Sequence, residues 1–448
     1  MHQSAPVFRP RVLHLAQPVD GGVAQVVLDL ARAQLADGLQ VTAGCPGGEL
    51  AAGLRDLGAG VHEWRAGRSP GPGLAGEVRR LARLIDEVRP ELVHAHSAKA
   101  GLAARLAVRG RIPTVFQPHA WSFEAVGGAT AALARRWERW GARWADRVVC
   151  VSEAERTTGV NAGVRAAYAV IPNGIDLDRF SPAPATPGFS PAPAAPGSSP
   201  APTAARPAPD RAALLPGLDP AAPLVVCVGR LCRQKGQDVL LRAWEQVLRA
   251  VPRARLVLVG DGPDRDTLAG RAHPSVHFTG AVADLVPWYR AADLVVLPSR
   301  WEGMALAPLE ALACGRPVVL TDVNGARESL PPALAARCLV PPEDPEALAG
   351  AVAALLPDAP LRASLGDQGR RHVRSTHDVR HTAERVADLY RVLLGAAEGA
   401  AEGAAEGAAE GAAEGAAEWP LDTDSGAPEA NKETRPPVPS ECRESIHS

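Results

Sequence analysis

The sequence predicts an α/β protein made of two doubly wound parallel-sheet domains. Short apolar runs alternate with amphipathic stretches in two separate blocks, residues 11–175 and 224–394. A Pro/Ala-rich tract from Ser181 to about Pro209 lies between them and suits a stiff or disordered linker. At 448 residues the chain is long enough for two full cores with a remainder.

Arg11–Leu15 is the first expected strand, and residues 22–37 its helix, with Val23, Val26, Val27, Leu30 and Ala33 along one face. Val41, Leu92-Val93, Pro113–Phe116 and Val148–Val151 mark the later strands of the first block. In the second block the expected strands are Leu224–Val228, Leu256–Val259, Val276–Phe278, Leu294–Leu297 and Pro317–Leu320, and residues 343–394 read as mostly helical. From Glu398 to Glu418 the chain repeats Gly-Ala-Ala-Glu. Glutamates four apart repel on a helix face, and each Gly costs about 1 kcal/mol against Ala there. The expected organisation is a first domain over 1–178, a linker over 179–215, a second domain over 216–377, a helix over 378–395 crossing back to the first domain, and a disordered tail over 396–448.

A hydrophobic content of 46% fits a globular protein, and a net charge of −2 gives no reason to expect a nucleic-acid partner. Only three lysines occur, Lys99, Lys235 and Lys432. The excess of Arg, Ala, Pro and Gly points to a GC-rich, bacterial coding sequence. Seven scattered cysteines form no CxxC and no zinc spacing with histidine. No stretch approaches the roughly 20 apolar residues of a membrane span, so a reduced, cytoplasmic protein is expected.

Candidate chemistry gathers after the predicted strands, where open α/β sheets bind ligands. Trp301–Ala311 carries Glu302 and Glu310 on a loop turning from strand to helix, with Pro308 suited to the first helical position. Free amides at such a helix start seat a phosphate. Taken alone, Glu310 fits equally a carboxylate satisfying its own helix start. Arg230 and Lys235 share the loop after the first strand of the second block, and two cations there suit a diphosphate or a solvated surface. Gly21-Gly22 opens the first helix without forming GxGxxG. His119 follows another strand and faces the same rim. Trp137, Trp140 and Trp144 share a helical face flanked by arginines, as on a membrane-surface helix, although an inward-packed face is favoured. Asp176-Leu177-Asp178 and Asp264-Arg265-Asp266 are given no metal role.

Together these pieces resemble the GT-B-fold, retaining glycosyltransferases of family 4, also called glycosyl transferases group 1. The resemblance covers residues 10–395 and rests on Gly21-Gly22, Pro118–Trp121, Val151-Ser152-Glu153, Ile171–Asp176, Val228–Arg230 with Lys235-Gly236, Val259–Pro263, and Glu302–Glu310 followed by Ala313–Val319. It implies two Rossmann-like domains facing across a cleft. It implies transfer of a sugar from a UDP- or GDP-linked donor to an acceptor hydroxyl, with retention and without an essential metal or other cofactor, in bacterial glycan, glycolipid or natural-product assembly. Arg230 and Lys235 would neutralise the diphosphate. Glu302 would contact the donor sugar, with the amides of Met304, Ala305 and Leu306 near sugar and phosphate. Glu310 would bind the ribose. Gly22 would approach the diphosphate from the opposite domain, and His119 the anomeric carbon. The acceptor is open, and peripheral contact with the inner face of a membrane is a further expectation. A nucleotide-sugar epimerase of similar fold and a non-catalytic nucleotide-sugar-binding protein are the alternatives. Three departures stand out: Ala305 where many members have Gly or Pro, Ala120 in place of a frequent Gly, and a long Pro/Ala tract.

Overall fold

The computed structural model describes residues 10–183 and 211–395. Most of the Pro/Ala tract and the Gly-Ala-Ala-Glu tail fall outside the described residues. The first block forms a parallel sheet of seven strands: β1 Arg11–Ala16, β2 Gln40–Cys45, β3 Gly60–Glu63, β4 Leu92–His96, β5 Thr114–Gln117, β6 Arg147–Cys150 and β7 Tyr168–Val170. Their order is β3-β2-β1-β4-β5-β6-β7. The second block forms a parallel sheet of six strands: β8 Leu224–Val228, β9 Arg255–Val259, β10 Val276–Gly280, β11 Leu294–Leu297, β12 Val318–Thr321 and β13 Leu339–Val340, ordered β10-β9-β8-β11-β12-β13. Each sheet reverses its winding once, between β1 and β4 and between β8 and β11. That reversal opens a crevice at the carboxyl ends of the strands.

The strands form because their apolar runs are covered on both faces. Val225, Val226, Leu256, Val257, Val295 and Val296 are fully or almost fully buried in one core. Strands β3, β7 and β13 escape the sequence pattern. They are short edge strands: β3, Gly60-Val61-His62-Glu63, is mixed in polarity, and β7 and β13 are only three and two residues long, so the ladder rather than a side-chain pattern specifies them.

Two crossings join the lobes. Ile175 bridges to Asp378, with Ile175 N donating to His377 O at 2.9 Å and Val379 N to Ile175 O at 3.0 Å. A Cβ on Gly174 would lie 2.6 Å from the Val379 Cα, so this junction requires glycine. Residues 379–395 then run as a helix whose Tyr390 reaches back to the first sheet. Inside the expected linker, Phe180 is buried, and Arg211–Leu214 is a helical turn whose Arg211 pairs with Asp293 at 3.0 Å.

The tryptophan face divides: Trp137 and Trp144 are half-buried, in line with inward packing, while Trp140 turns outward against that expectation. The helix Gly128–Gly141 buries Ala131, Glu138 and Gly141, and a buried Arg105–Glu138 ion pair at 2.8 Å anchors it. Trp140 is 42% exposed and Leu133 68% exposed. The helix is too short to bury both faces, and the ion pair takes the inner one. Among the described residues no single helix is long and apolar enough to cross a membrane.

Candidate active site

The site grows around the segment after β11. Gly236 has a left-handed backbone, φ 66°, and a Cβ there would lie 2.0 Å from the Pro298 carbonyl oxygen. This close approach brings the Lys235 loop under the Ser299–Glu302 turn. Lys235 Nζ lies 2.5 Å from Glu302 Oε1, and Ser299 Oγ donates to the same oxygen at 2.7 Å. Gln234 Nε2 donates to Trp301 O at 3.0 Å, and Thr321 Oγ1 to Ser299 O. Glu302 is only 7% exposed, so its carboxylate is oriented and neutralised in place. Lys235 packs along Gly229, next to Arg230 at the end of β8. Arg230 is half-buried, and among the described residues its guanidinium has no ion-pair partner.

The next residues bind the other lobe. Ser152 Oγ donates to Gly303 O at 3.0 Å, and Asn173 Nδ2 to Met304 O at 2.8 Å. A Cβ on Gly303 would lie 2.9 Å from Glu155 Oε1 and 3.0 Å from the His119 carbonyl carbon. Glu302 and His119, 183 residues apart in sequence, therefore meet across the cleft through Gly303. No peptide bond here is cis. In a trans peptide the N–H points opposite the C=O. Carbonyls turned to Ser152 and Asn173 thus turn the Met304 and Ala305 amides away from those groups, and these amides and that of Leu306 donate to no protein group among the described residues. Gly22 lies on the same spot, its Cβ position 3.6 Å from Leu306 Cγ, while Gly21 supplies a left-handed turn, φ 72°.

The helix after this loop is Leu306–Ala313 with Ala305 at its cap. Pro308 is its third residue, not its first, and Glu310 its fifth, beyond the first turn. Pro308 still costs no hydrogen bond, because the first four N–H groups have no intrahelical acceptor. Glu310 makes no cap. It is buried and accepts from the Tyr289 hydroxyl at 2.6 Å, and burial pushes its carboxyl up to about 7. It borders a cavity of about 60 Å³ shared with Gln25, Asp29, Arg32, Asp176 and Arg179. The Asp176 carboxylate accepts from the Asp178 and Arg179 amides, which accounts for that Asp-x-Asp as a turn.

His119 and Ala120 both have left-handed backbones, φ 55° and 117°. Glu155 enforces this: its carboxylate accepts from Ala120 N and Val151 N, each at 2.7 Å. Burial pushes Glu155 up to about 7. Glu124, also raised by burial to about 7, accepts from Trp121 N at 2.9 Å and from Asn324 Nδ2 of the second lobe at 2.9 Å. Glu328 of the second lobe accepts from the amides of Glu153 and Ala154 at 2.8 and 3.0 Å, capping the helix Glu153–Asn161.

Sequence reasoning quoted Ser152 and Asn173 without a role and passed over Glu124, Glu155, Glu328 and the buried histidines His14, His94 and His96. The His94-Ala95-His96 spacing was the available signal: alternate residues of a strand share a face.

Family models match both halves: residues 20–179 match the "Glycosyltransferase Family 4" model, and residues 222–358 the "Glycosyl transferases group 1" model. The GDP-mannose-dependent alpha-(1-6)-phosphatidylinositol monomannoside mannosyltransferase of Mycolicibacterium smegmatis is 32% identical over 329 residues, 69% of this chain and 78% of that protein. The chain belongs to the family 4 glycosyltransferases. The lipopolysaccharide core biosynthesis mannosyltransferase LpcC of Rhizobium leguminosarum bv. viciae is 34% identical over 186 residues, 39% of this chain and about half (53%) of that protein. Anabaena Alr3699/HepE in complex with UDP and glucose superposes with a TM-score of 0.68 at 24% identity, over 86% of this chain and all of that one, and shares the two-lobed GT-B fold.

Two predictions follow from this geometry. An alanine at φ 117° stores strain that glycine releases, about 1–3 kcal/mol against roughly 0.5–1 kcal/mol of extra chain entropy. Ala120→Gly in this glycosyltransferase is therefore expected to raise Tm, measured by scanning calorimetry. Glu310 is ordinarily a 4.5 carboxyl and stands at about 7 when folded. The folded state then binds the extra proton between those values, so its contribution to stability falls as pH rises from 4.5 to 7. Glu310→Gln is expected to remove part of that decline, at most about 3 kcal/mol, in Tm measured from pH 5 to 8.

Proposed function

We propose that this protein transfers a hexosyl group from a nucleoside-diphosphate sugar to an acceptor hydroxyl with retention of anomeric configuration and without an essential metal. The observation that carries this reading is the convergence at Gly303: a neutralised Glu302 and amides without a partner among the described residues on one lobe, and the His119 loop on the other, with Arg230 just past the end of the neighbouring strand β8. The free amides and the helix start suit a leaving diphosphate, and Arg230 supplies the charge that Lys235, engaged by Glu302, shares.

In this reading the donor binds the second lobe, with Glu310 at the ribose and Glu302 at the sugar hydroxyls. The acceptor binds the first lobe around Gly22 and His119. The bond from the anomeric carbon to the phosphate oxygen breaks while the acceptor oxygen attacks from the same face. The hydroxyl proton passes to the leaving phosphate. Glu302 orients the sugar rather than attacking it, because Lys235 and Ser299 already draw on its Oε1. The lobes exclude the water that would otherwise hydrolyse the donor.

The relatives named for GDP-mannose support that donor first, and the UDP-bound Anabaena structure keeps UDP sugars in the test. A bacterial, lipid-linked acceptor at the inner membrane surface suits the exposed Trp140 and Leu133 beside Arg135, Arg136, Arg139 and Arg143.

A donor panel, with product configuration read by NMR and turnover repeated in EDTA, tests this. Arg230→Ala and Lys235→Ala should each cut kcat/KM by about a hundredfold or more. Near-wild-type turnover with both removed contradicts the donor assignment, and an inverted product contradicts retention.

A further inference from the structure

Four histidines form a continuous column at the switch point of the first sheet. His14 on β1 and His94 on β4 are register partners, and His96 lies two residues further along β4. His14, His94 and His96 have no solvent exposure. The His96 and His119 rings lie edge to edge in nearly parallel planes, 25° apart with centroids 5.6 Å apart, so the column ends at the loop that meets Gly303.

One line of hydrogen bonds runs down the column. Gln34 Oε1 lies 2.7 Å from His14 Nε2; His14 Nδ1 lies 3.0 Å from His96 Nε2; His96 Nδ1 lies 3.3 Å from His119 Nε2. A neutral imidazole has one donor and one acceptor nitrogen, so fixing the first ring fixes all three. Gln34 fixes the first. Its amide nitrogen faces the Tyr390 oxygen at 3.5 Å, and that hydroxyl lies 2.6 Å from His94 Nδ1, short enough for a phenol donating to an imidazole. Turning the amide round would leave its carbonyl facing a hydroxyl already committed to His94, a buried acceptor without a donor. The Gln34 carbonyl therefore faces His14 and accepts from Nε2–H. Each ring down the line must then carry its proton on Nε2.

We propose that Gln34, His14 and His96 are positioning residues that hold His119 as the Nε2–H tautomer, with Nδ1 as its unprotonated nitrogen. This rests on the reading that the His119 loop serves the transfer reaction. The line is not an exit path for protons, because it ends in an amide that cannot take one. What it supplies is orientation: the His119 ring is fixed in plane and protonation state. Burial agrees, holding the His14 imidazole down at about 4 and His119 at about 3, so neither charges near neutral pH.

A metal ion is the competing use of these rings, since His14, His94 and His96 each offer a nitrogen within 4.8 Å of the others. His14 Nδ1 and His96 Nε2 already face each other at 3.0 Å and share one proton, which an ion would have to displace. The His94 and His96 rings also stack at 4.0 Å, so their in-plane lone pairs run side by side rather than converging.

The full-length protein labelled with ¹⁵N-histidine tests the proposal by long-range ¹H–¹⁵N spectra, with His119→Asn identifying the His119 signals. The expected result is a protonated Nε2 and an unprotonated Nδ1 on His119. Gln34→Leu should mix the two tautomers, and Tyr390→Phe, which removes the hydroxyl that sets the Gln34 amide, should loosen the lock in the same direction to a smaller extent. With GDP-mannose as donor, Gln34→Leu should lower kcat roughly tenfold to a hundredfold, with KM within about twofold. A His119 protonated on Nδ1, or one unmoved by Gln34→Leu, overturns the lock, as does stoichiometric zinc by elemental analysis that His94→Ala abolishes. A confirmed lock with unchanged kcat in Gln34→Leu overturns the positioning role. Wild-type protein that does not turn over GDP-mannose counts against the donor reading alone, and the spectrum still decides the lock.

Discussion

The missing side chain at Gly303 is the constraint on which the site depends. Glu155 Oε1, Val151 Cγ2 and the His119 carbonyl carbon stand where its Cβ would be, all at 2.9–3.0 Å. Any other residue would push the lobes apart at that point. With glycine, the backbone of one lobe lies directly on the rim of the other, and Ser152 and Asn173 take the two carbonyls that face them. Peptide geometry then leaves the consecutive amides after Gly303 turned away. One packing event both closes the cleft and aligns donors for an anion.

Charge is distributed around that contact in a definite way. Glu302 and Lys235 cancel at 2.5 Å, which keeps a buried carboxylate from repelling a phosphate nearby. Arg230, two residues past the end of β8, has no carboxylate partner among the described residues. A half-buried guanidinium without a carboxylate is a group that an incoming anion would stabilise. The carboxyls of Glu124 and Glu155, both raised by burial to about 7, face this region from the first lobe and spend their oxygens on backbone amides and Asn324. They shape the His119 loop into left-handed backbone that its sequence, with Ala120 rather than glycine, resists.

Much of this was legible in the sequence because buried parallel strands read as apolar runs and their ligand loops follow directly. The runs at Leu224–Val228 and Leu294–Leu297 fall on β8 and β11, and Arg230 and Glu302 lie on the loops past their carboxyl ends. The pairing of Glu302 with Lys235 was not legible, because it depends on the close passage of Gly236 under Pro298. Nor were the second-lobe partners of Glu124 and the Glu153–Asn161 helix, which meet only across the lobes. Trp140 was misjudged for a different reason. Periodicity shows which residues share a face but not which face turns inward, and the buried Arg105–Glu138 pair decides that here.

The central claim is that Arg230 and the amides after Gly303 hold a diphosphate between the lobes. Calorimetric titration with GDP and UDP against their monophosphates tests it directly, in wild type and Arg230→Ala. The account predicts that one diphosphate binds wild type far more tightly than its monophosphate, and that Arg230→Ala loses most of this difference. Equal affinity for di- and monophosphate in wild type, or a difference untouched by Arg230→Ala, would contradict it.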